Sequence, residues 1–211
     1  FIYGTIYTFS VSNWHETVHK TAFRTRWINE IFYHISSFMA DFEGFRWRWS
    51  HTFHHSNTLQ TKDDYDHEIQ VSRPTDLIAF FLNYIPFTDL LFPHRLIKYE
   101  VIKHAFGFFS PVVKIAAPTN EKKKILWNSR LYLLIWISII FLSIYYATIL
   151  PILYLILPTY YGKPLWFLVN VTQHLGAAID TKDHRKSTYS VRINPIFSFL
   201  YWHMEYHVEH H

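Results

Sequence analysis

The sequence predicts an all-α fold, a multi-pass membrane helical bundle with a histidine-rich cap on one side. Three observations predict it. Residues 131–157 (LYLLIWISIIFLSIYYATILPILYLIL) contain no charged side chain, a run longer than the roughly 20 apolar residues that cross a hydrocarbon core. Lysine and arginine are spread unevenly around that run. Fifteen histidines stand in 211 residues, most of them clustered at helical spacing. The composition is 50% hydrophobic, 20% aromatic and 17% charged, which excludes disordered, collagen-like and disulfide-stapled classes. With no cysteine, the chain offers no thiolate nucleophile, zinc finger or iron–sulfur centre.

Residues 1–11 are apolar but short, and read as the end of a span cut by the start of the chain. The first residue is not Met and the last, His211, lies inside a motif. The expectation is therefore one domain over residues 1–211, truncated at both ends. Residues 77–92 (LIAFFLNYIPFTDLLF) are interrupted by Pro86 and Asp89 and read as interfacial or re-entrant, with a true span as the alternative. Residues 131–157 then form a transmembrane helix. Pro151, Pro158, Gly162 and Pro164 predict a kinked exit and a tight turn, and a second apolar stretch, 165–179, returns from it. The transmembrane hairpin thus covers about 131–179. With the turn on one side, 15 Lys and Arg from Lys20 to Arg130 and 4 from Lys182 to Arg192 lie opposite, while only Lys163 lies in the turn. By the positive-inside rule the histidine-bearing face is cytosolic.

The histidines separate into boxes by spacing. His15 and His19 form H-x-x-x-H; His51, His54 and His55 form H-x-x-H-H; His207, His210 and His211 repeat it, with His203 one turn earlier. His174 follows Asn170 at the polar end of the second apolar stretch. Spacings of three and four put side chains on one helix face, so each box aims two or three imidazoles at a common point. Imidazole is the commonest metal-ligand side chain near neutral pH, and many nitrogen donors suit Fe, Cu, Zn or Ni rather than Mg or Ca. Nine ligands exceed one coordination sphere, so the cap is expected to bind two metals. His34, His67, His94, His104 and His184 receive no role. HETVH at 15–19 also satisfies the zincin signature, two zinc-binding histidines with a general-base Glu, but a membrane zinc metalloprotease leaves both H-x-x-H-H boxes unused. A transporter calls for ionisable residues within its spans, and residues 131–157 have none.

Three boxes in this order, with a hairpin between the second and third and the ending FLYWHMEYHVEHH, resemble the integral-membrane di-iron fatty acid desaturase family, within the larger group that includes alkane and fatty acid hydroxylases. The resemblance runs from His15 to His211. It implies two non-haem irons held by His15, His19, His51, His54, His55, His174, His207, His210 and His211, with Asn170 binding directly or through water and His203 as a neighbour or spare. The first box departs from the family, with Glu where many desaturases have Asp after the first His, a form also similar to alkane hydroxylases. The expected reaction is therefore O2-dependent desaturation of the acyl chain of a fatty acid or lipid, with hydroxylation on the same scaffold as the alternative.

Metal-bound histidines commonly donate their other N–H to a carboxylate or carbonyl. Glu16, Glu205 and Glu209 inside the boxes, and Asp63, Asp64, Asp66 and Glu68 after the second, are candidates for that work or for solvated loop positions; Asp180, Asp183 and Arg185 are weaker ones. Trp47, Trp49, Tyr201, Trp202 and Tyr206 are candidates to line an acyl tunnel or to sit in an interfacial belt. With no cysteine and no G-x-G-x-x-G or evident haem fingerprint, the reducing equivalents are expected from an external ferredoxin or cytochrome docking on the basic face. No nucleic-acid partner is expected.

Overall fold

The computed structural model describes residues 1–62, 66, 82, 85, 87 and 97–211. The described residues are helical and contain no strand. The stretch 77–92 lies outside them apart from Leu82, Ile85 and Phe87. The elements are α1 (Ile2–Thr8), α2 (Ser10–Val18), α3 (Arg26–Met39), α4 (Gly44–Ser56), α5 (Ile97–Ala105), α6 (Pro111–Ala116), α7 (Lys122–Tyr145), α8 (Leu150–Leu155), α9 (Pro158–Val171), α10 (His184–Ser187), α11 (Pro195–Leu200) and α12 (His207–His210).

Among the described residues, two helical stretches are long and apolar enough to cross a membrane, Thr119–Tyr145 and Leu150–Val171. In α7 the buried residues Ile125, Ser129, Tyr132, Trp136, Ile139 and Ser143 repeat every three or four positions, one stripe facing the protein. Leu134, Ile137, Phe141 and Ile144 point outward and are exposed.

The expected hairpin boundaries are corrected. The chain reverses at residues 146–149, not at Pro158–Pro164. Ala147 takes the left-handed φ of 48°, and Thr148 N–H donates to the Ser143 carbonyl at 2.9 Å, a helix stop normally signalled by glycine. Pro158 begins α9, where its missing N–H is harmless. Pro164 lies inside α9; the Tyr160 carbonyl it leaves unbonded accepts from Phe87 N–H at 3.2 Å. Lys163 is consequently in the second apolar helix, and the reversal carries no Lys or Arg. Helix α9 ends at Val171, so His174 sits on a turn.

Helix α1 packs on α9 through two glycines. A Cβ on Gly162 would collide with the Gly4 backbone, and one on Gly4 with the Tyr161 ring. Helix α1 leads into α2 and the first box, and Val11 and Trp14 of α2 line a cavity together with Trp166 and Asn170 of α9. Helix α2 then buries Val11, Trp14 and Val18 against Tyr33, Ala40 and Phe42.

The second box rides on α4, which is clamped at several points. Buried Glu43 caps its first turn, accepting from Phe45 N–H at 3.2 Å and Arg46 N–H at 2.7 Å, and it also accepts from Asn128 of α7. Burial pushes the Glu43 carboxyl up to about 7. Tyr33 and Tyr132 donate to the Gly44 and Phe42 carbonyls, and Arg46 pairs with Glu100 of α5 at 3.1 Å. His104, without a role in the sequence, is buried and holds Ser110 at the start of α6. His34 stands 3.7 Å from Glu30 at the surface. His67 and His94 are outside the described residues.

Candidate metal centre

The eight box histidines and His174 converge on one place and divide into two groups. In the first, nitrogens of His15, His51, His55 and His210 lie within 4.8 Å of one another, and His19 Nε2 is 3.2 Å from His51 Nε2. In the second, His54, His174 and His211 meet the same limit, and His207 Nε2 stands 3.0 Å from His174 Nε2 and 3.2 Å from His211 Nε2. The division cuts across the boxes. His51 and His55, an i,i+4 pair, go to the first group while His54 goes to the second. His207 and His211, also i,i+4, go to the second group while His210 goes to the first. Residues four apart share a helix face and the intervening one is rotated off it, so each H-x-x-H-H box supplies both groups.

Ring orientation favours metal binding. His174 Nδ1 donates to the Ser187 carbonyl at 2.9 Å; a carbonyl only accepts, so the proton is on Nδ1 and the Nε2 lone pair points at His207. His54 Nδ1 is 2.8 Å from Asp66 Oδ2, which also accepts from Leu59 N–H at 2.9 Å. His211 Nδ1 is 3.3 Å from Thr58 Oγ1, and Glu16 Oε1 is 3.2 Å from His15 Nδ1 and 3.6 Å from His210 Nδ1. These partners hold the outer edges of the rings and leave several Nε2 atoms about 3 Å apart. Lone pairs at that separation repel unless a proton or a cation sits among them, so the donor set fits metal ions of the nitrogen-preferring kind.

Burial keeps the rings neutral. Desolvation first, then the neighbouring histidines, holds His15, His55, His207 and His211 well below the usual imidazole range and His210 down at about 3. Burial also pushes Glu16 up to about 7.

The other candidates fall as follows. Asn170 lines a cavity of about 130 Å³ beside His15, His51, His54, His174 and His207. His203 belongs to neither group. Trp202 and His203 take left-handed φ of 55° and 58°, which breaks the helix before the third box, and the exposed His203 ring bonds Ser198 at 2.9 Å. Glu205 is buried, accepting from Ser198 and standing 3.6 Å from His203. Glu209 faces outward and accepts from Ser190 at 2.6 Å. Of the four acidic residues after the second box, Asp66 is the one within the described residues. Asp180 accepts from Thr61 N–H at 2.8 Å, and Asp183 caps α10 and pairs with Arg185; no contact with the box rings is seen for any of the three.

Of the aromatic candidates, Trp47 borders the 130 Å³ cavity. Trp49 packs against Val113, Ala117 and Ile125, Tyr201 is buried beside Phe9, and Trp202 and Tyr206 rim an open depression with His203. Sequence reasoning missed the Ser187 carbonyl, because backbone acceptors leave no residue signature, and Thr58, which helical spacing from His54 places within reach. It also gave no role to His184, whose ring stacks on His211 at 5.4 Å and 29°.

The family model described as fatty acid desaturase matches residues 1–211. No curated protein and no solved structure matches the chain.

Proposed function

The chain belongs to the fatty acid desaturase family, whose activity is that of a membrane-associated oxidoreductase, and from that premise we propose that it is a di-iron enzyme that desaturates the acyl chain of a fatty acid or lipid. The observation that carries the reading is the gathering of nine histidines, from three boxes and one isolated site, into two adjoining groups. One group would be held by His15, His19, His51, His55 and His210, the other by His54, His174, His207 and His211, with Asn170 at the cavity edge. Bound iron would supply reductive activation of O2, chemistry that ordinary side chains cannot reach.

The chain's own contribution is positional. Asp66, Ser187, Thr58 and Glu16 fix the imidazoles by their Nδ1 edges, and this orientation raises ligand basicity. The apolar walls around the histidines, Val11, Trp14, Phe42, Trp47 and Trp166, exclude water and receive hydrocarbon. The outward apolar faces of α7 to α9 are what a bilayer would cover. With 19 of the 20 Lys and Arg outside the hairpin's second helix and none at the reversal, the metal centre is assigned to the cytosolic side. Reducing equivalents come from a separate ferredoxin or cytochrome.

Lipid analysis of cells expressing the full-length gene, with His54→Ala as control, tests the reading. New alkenes absent from the control support desaturation, and hydroxylated lipids would move the assignment to a hydroxylase. An unchanged lipid profile would remove both.

A further inference from the structure

The turn between α5 and α6 sits against the first turns of α7. Gly107 closes α5 with a left-handed φ of 85°; its N–H donates to the His104 carbonyl and that of Phe108 to the Lys103 carbonyl, both at 2.9 Å, a helix stop that glycine suits. On either side of it Phe106 and Phe108 stand out, each 68% exposed. Arg130 of α7 donates from Nε to the Ala105 carbonyl at 3.0 Å, and its guanidinium lies 4.8 Å from the centre of the Trp127 ring, itself 58% exposed. Lys123, Trp127 and Arg130 fall four and three residues apart, so they share one helix face with the outward Leu134 and Ile137.

The patch is positively charged. Lys103, Lys123 and Arg130 are all exposed, and the nearby carboxylates are taken by other cations, Glu100 by Arg46 at 3.1 Å and Glu121 by Lys124 at 2.7 Å. Among the described residues none of the three pairs with a carboxylate, and none interacts with the rest of the chain in a way that would neutralise it. Its depth is defined as well. Counted at about 1.5 Å per residue from the reversal, Arg130 lies roughly 24 Å and Lys123 roughly 34 Å along α7, on the two sides of the edge of a ~30 Å hydrocarbon core.

At that level aromatic rings belong among the headgroups and upper acyl chains, and cations belong beside phosphate, with which they form strong charge-assisted hydrogen bonds. A zwitterionic lipid carries its own ammonium and leaves the surplus charge of the patch unmet. A net-anionic lipid meets it. An acidic soluble protein would suit the cations, but the three rings lie on the same face as the apolar stripe of α7, which a bilayer covers and water-soluble partners do not reach. We propose that Lys103, Lys123 and Arg130, with Phe106, Phe108 and Trp127 as wedges, form a seat for an anionic phospholipid of the cytosolic leaflet. The cations take its headgroup and the rings its upper acyl chains. The seat rests on the bilayer position given to α7 above and not on the oxidation chemistry.

Native mass spectrometry of the detergent-solubilised full-length protein, offered equal amounts of phosphatidylglycerol and phosphatidylcholine with the same acyl chains, tests the seat without turnover. The wild type should retain phosphatidylglycerol over phosphatidylcholine by about tenfold or more, and Lys103→Gln and Lys123→Gln should each lower that ratio by about fivefold. Phe106→Ser with Phe108→Ser should weaken retention of both lipids and keep the ratio. Lys182→Gln with Lys186→Gln, flanking and within α10, removes as much charge as the two seat variants combined and should leave the ratio unchanged. A ratio near one in the wild type, or one that falls equally in the α10 pair, overturns the seat. Equal retention of the two lipids together with polyglutamate binding through Lys103 and Lys123 would give the patch to an acidic protein instead. No retained lipid of either kind would remove the bilayer position of α7 and the seat together. Because no product is read, the desaturase assignment stands or falls separately on the lipid analysis of expressing cells.

Discussion

In the histidine group of His54, His174, His207 and His211, three rings are tied at Nδ1 to fixed partners: the Asp66 carboxylate at 2.8 Å, the Ser187 carbonyl at 2.9 Å and the Thr58 hydroxyl at 3.3 Å. In the group of His15, His19, His51, His55 and His210, the carboxylate support among the described residues comes from Glu16, at 3.2 and 3.6 Å and more exposed than Asp66. One site is preorganised by buried backbone and carboxylate, and the other is assembled where α2, α4 and the third box meet. The difference teaches that two sites built of one residue type need not be equally firm, since the partners behind the rings set ligand orientation and basicity.

Helix α1 leads into the first box and α9 into His174, and Gly162→Ala at their crossing should have the largest effect. A new methyl meets the Gly4 backbone, which cannot turn aside. The cost should reach the upper end of the about 1–3 kcal/mol typical of overpacking or exceed it, lowering the melting temperature by roughly 6–12 °C and loosening iron at both groups. A wild-type melting temperature in detergent would mean the helices do not depend on this contact.

Asp66→Ala should separate the groups. It removes the acceptor of His54 and of Leu59 N–H together, so iron affinity at the second group should fall by about 10–100-fold while the first group keeps its metal. Iron titration should then show one tight and one weak site. Glu16→Gln should produce the converse and milder pattern, because its contacts are longer and partly solvated; equal effects of the two variants would erase the contrast.

Acidification probes both groups at once in metal-free protein. His15, His55, His207 and His211, held well below the usual imidazole range, and His210, held at about 3, are neutral in the fold and gain a proton on unfolding once the pH is below the ordinary value of about 6.5. Their contribution is therefore fully present above about 6.5 and is lost as pH falls toward 3, by about 1.4 kcal/mol per pH unit for each such ring. Glu16 and Glu43, both raised to about 7, act oppositely: between their unfolded value and 7 the fold holds protons the unfolded chain does not, offsetting two of the histidines. Melting of chelator-treated protein should be level above pH 6.5 and drop steeply below it; a level profile down to pH 4 would contradict the neutral cluster.

His203→Ala should have the smallest effect. The ring is exposed and outside both groups, so iron content should hold and stability should change by no more than about 0.5 kcal/mol. Loss of iron would place His203 in the ligand set.

Much of this was legible in the sequence. Eight of the nine histidines that gather stand in the three boxes, because three- and four-residue intervals fix side-chain direction on a helix before any tertiary contact forms; His174, alone in the sequence, came only with the family resemblance. The apolar hairpin was legible as well, but its reversal was not. Glycine and proline are the usual turn signals, yet here an alanine adopts the left-handed stop and the prolines are absorbed, one at a helix start and one by a Phe87 N–H from elsewhere in the chain.

The sequence by itself determined the helical class and the ligand residue types; it aimed each H-x-x-H-H box at one common point, and the structure instead divides each box between two groups. Only the tertiary structure decided which histidine joined which group, which acidic residue stands behind His54, and that Arg130 reaches the turn after α5. Those outcomes depend on pairs such as Gly4 with Gly162 and His54 with Asp66, and on a Ser187 carbonyl that any residue type would supply. Local spacing is written in the chain, whereas contacts between distant segments exist only once the helices have packed.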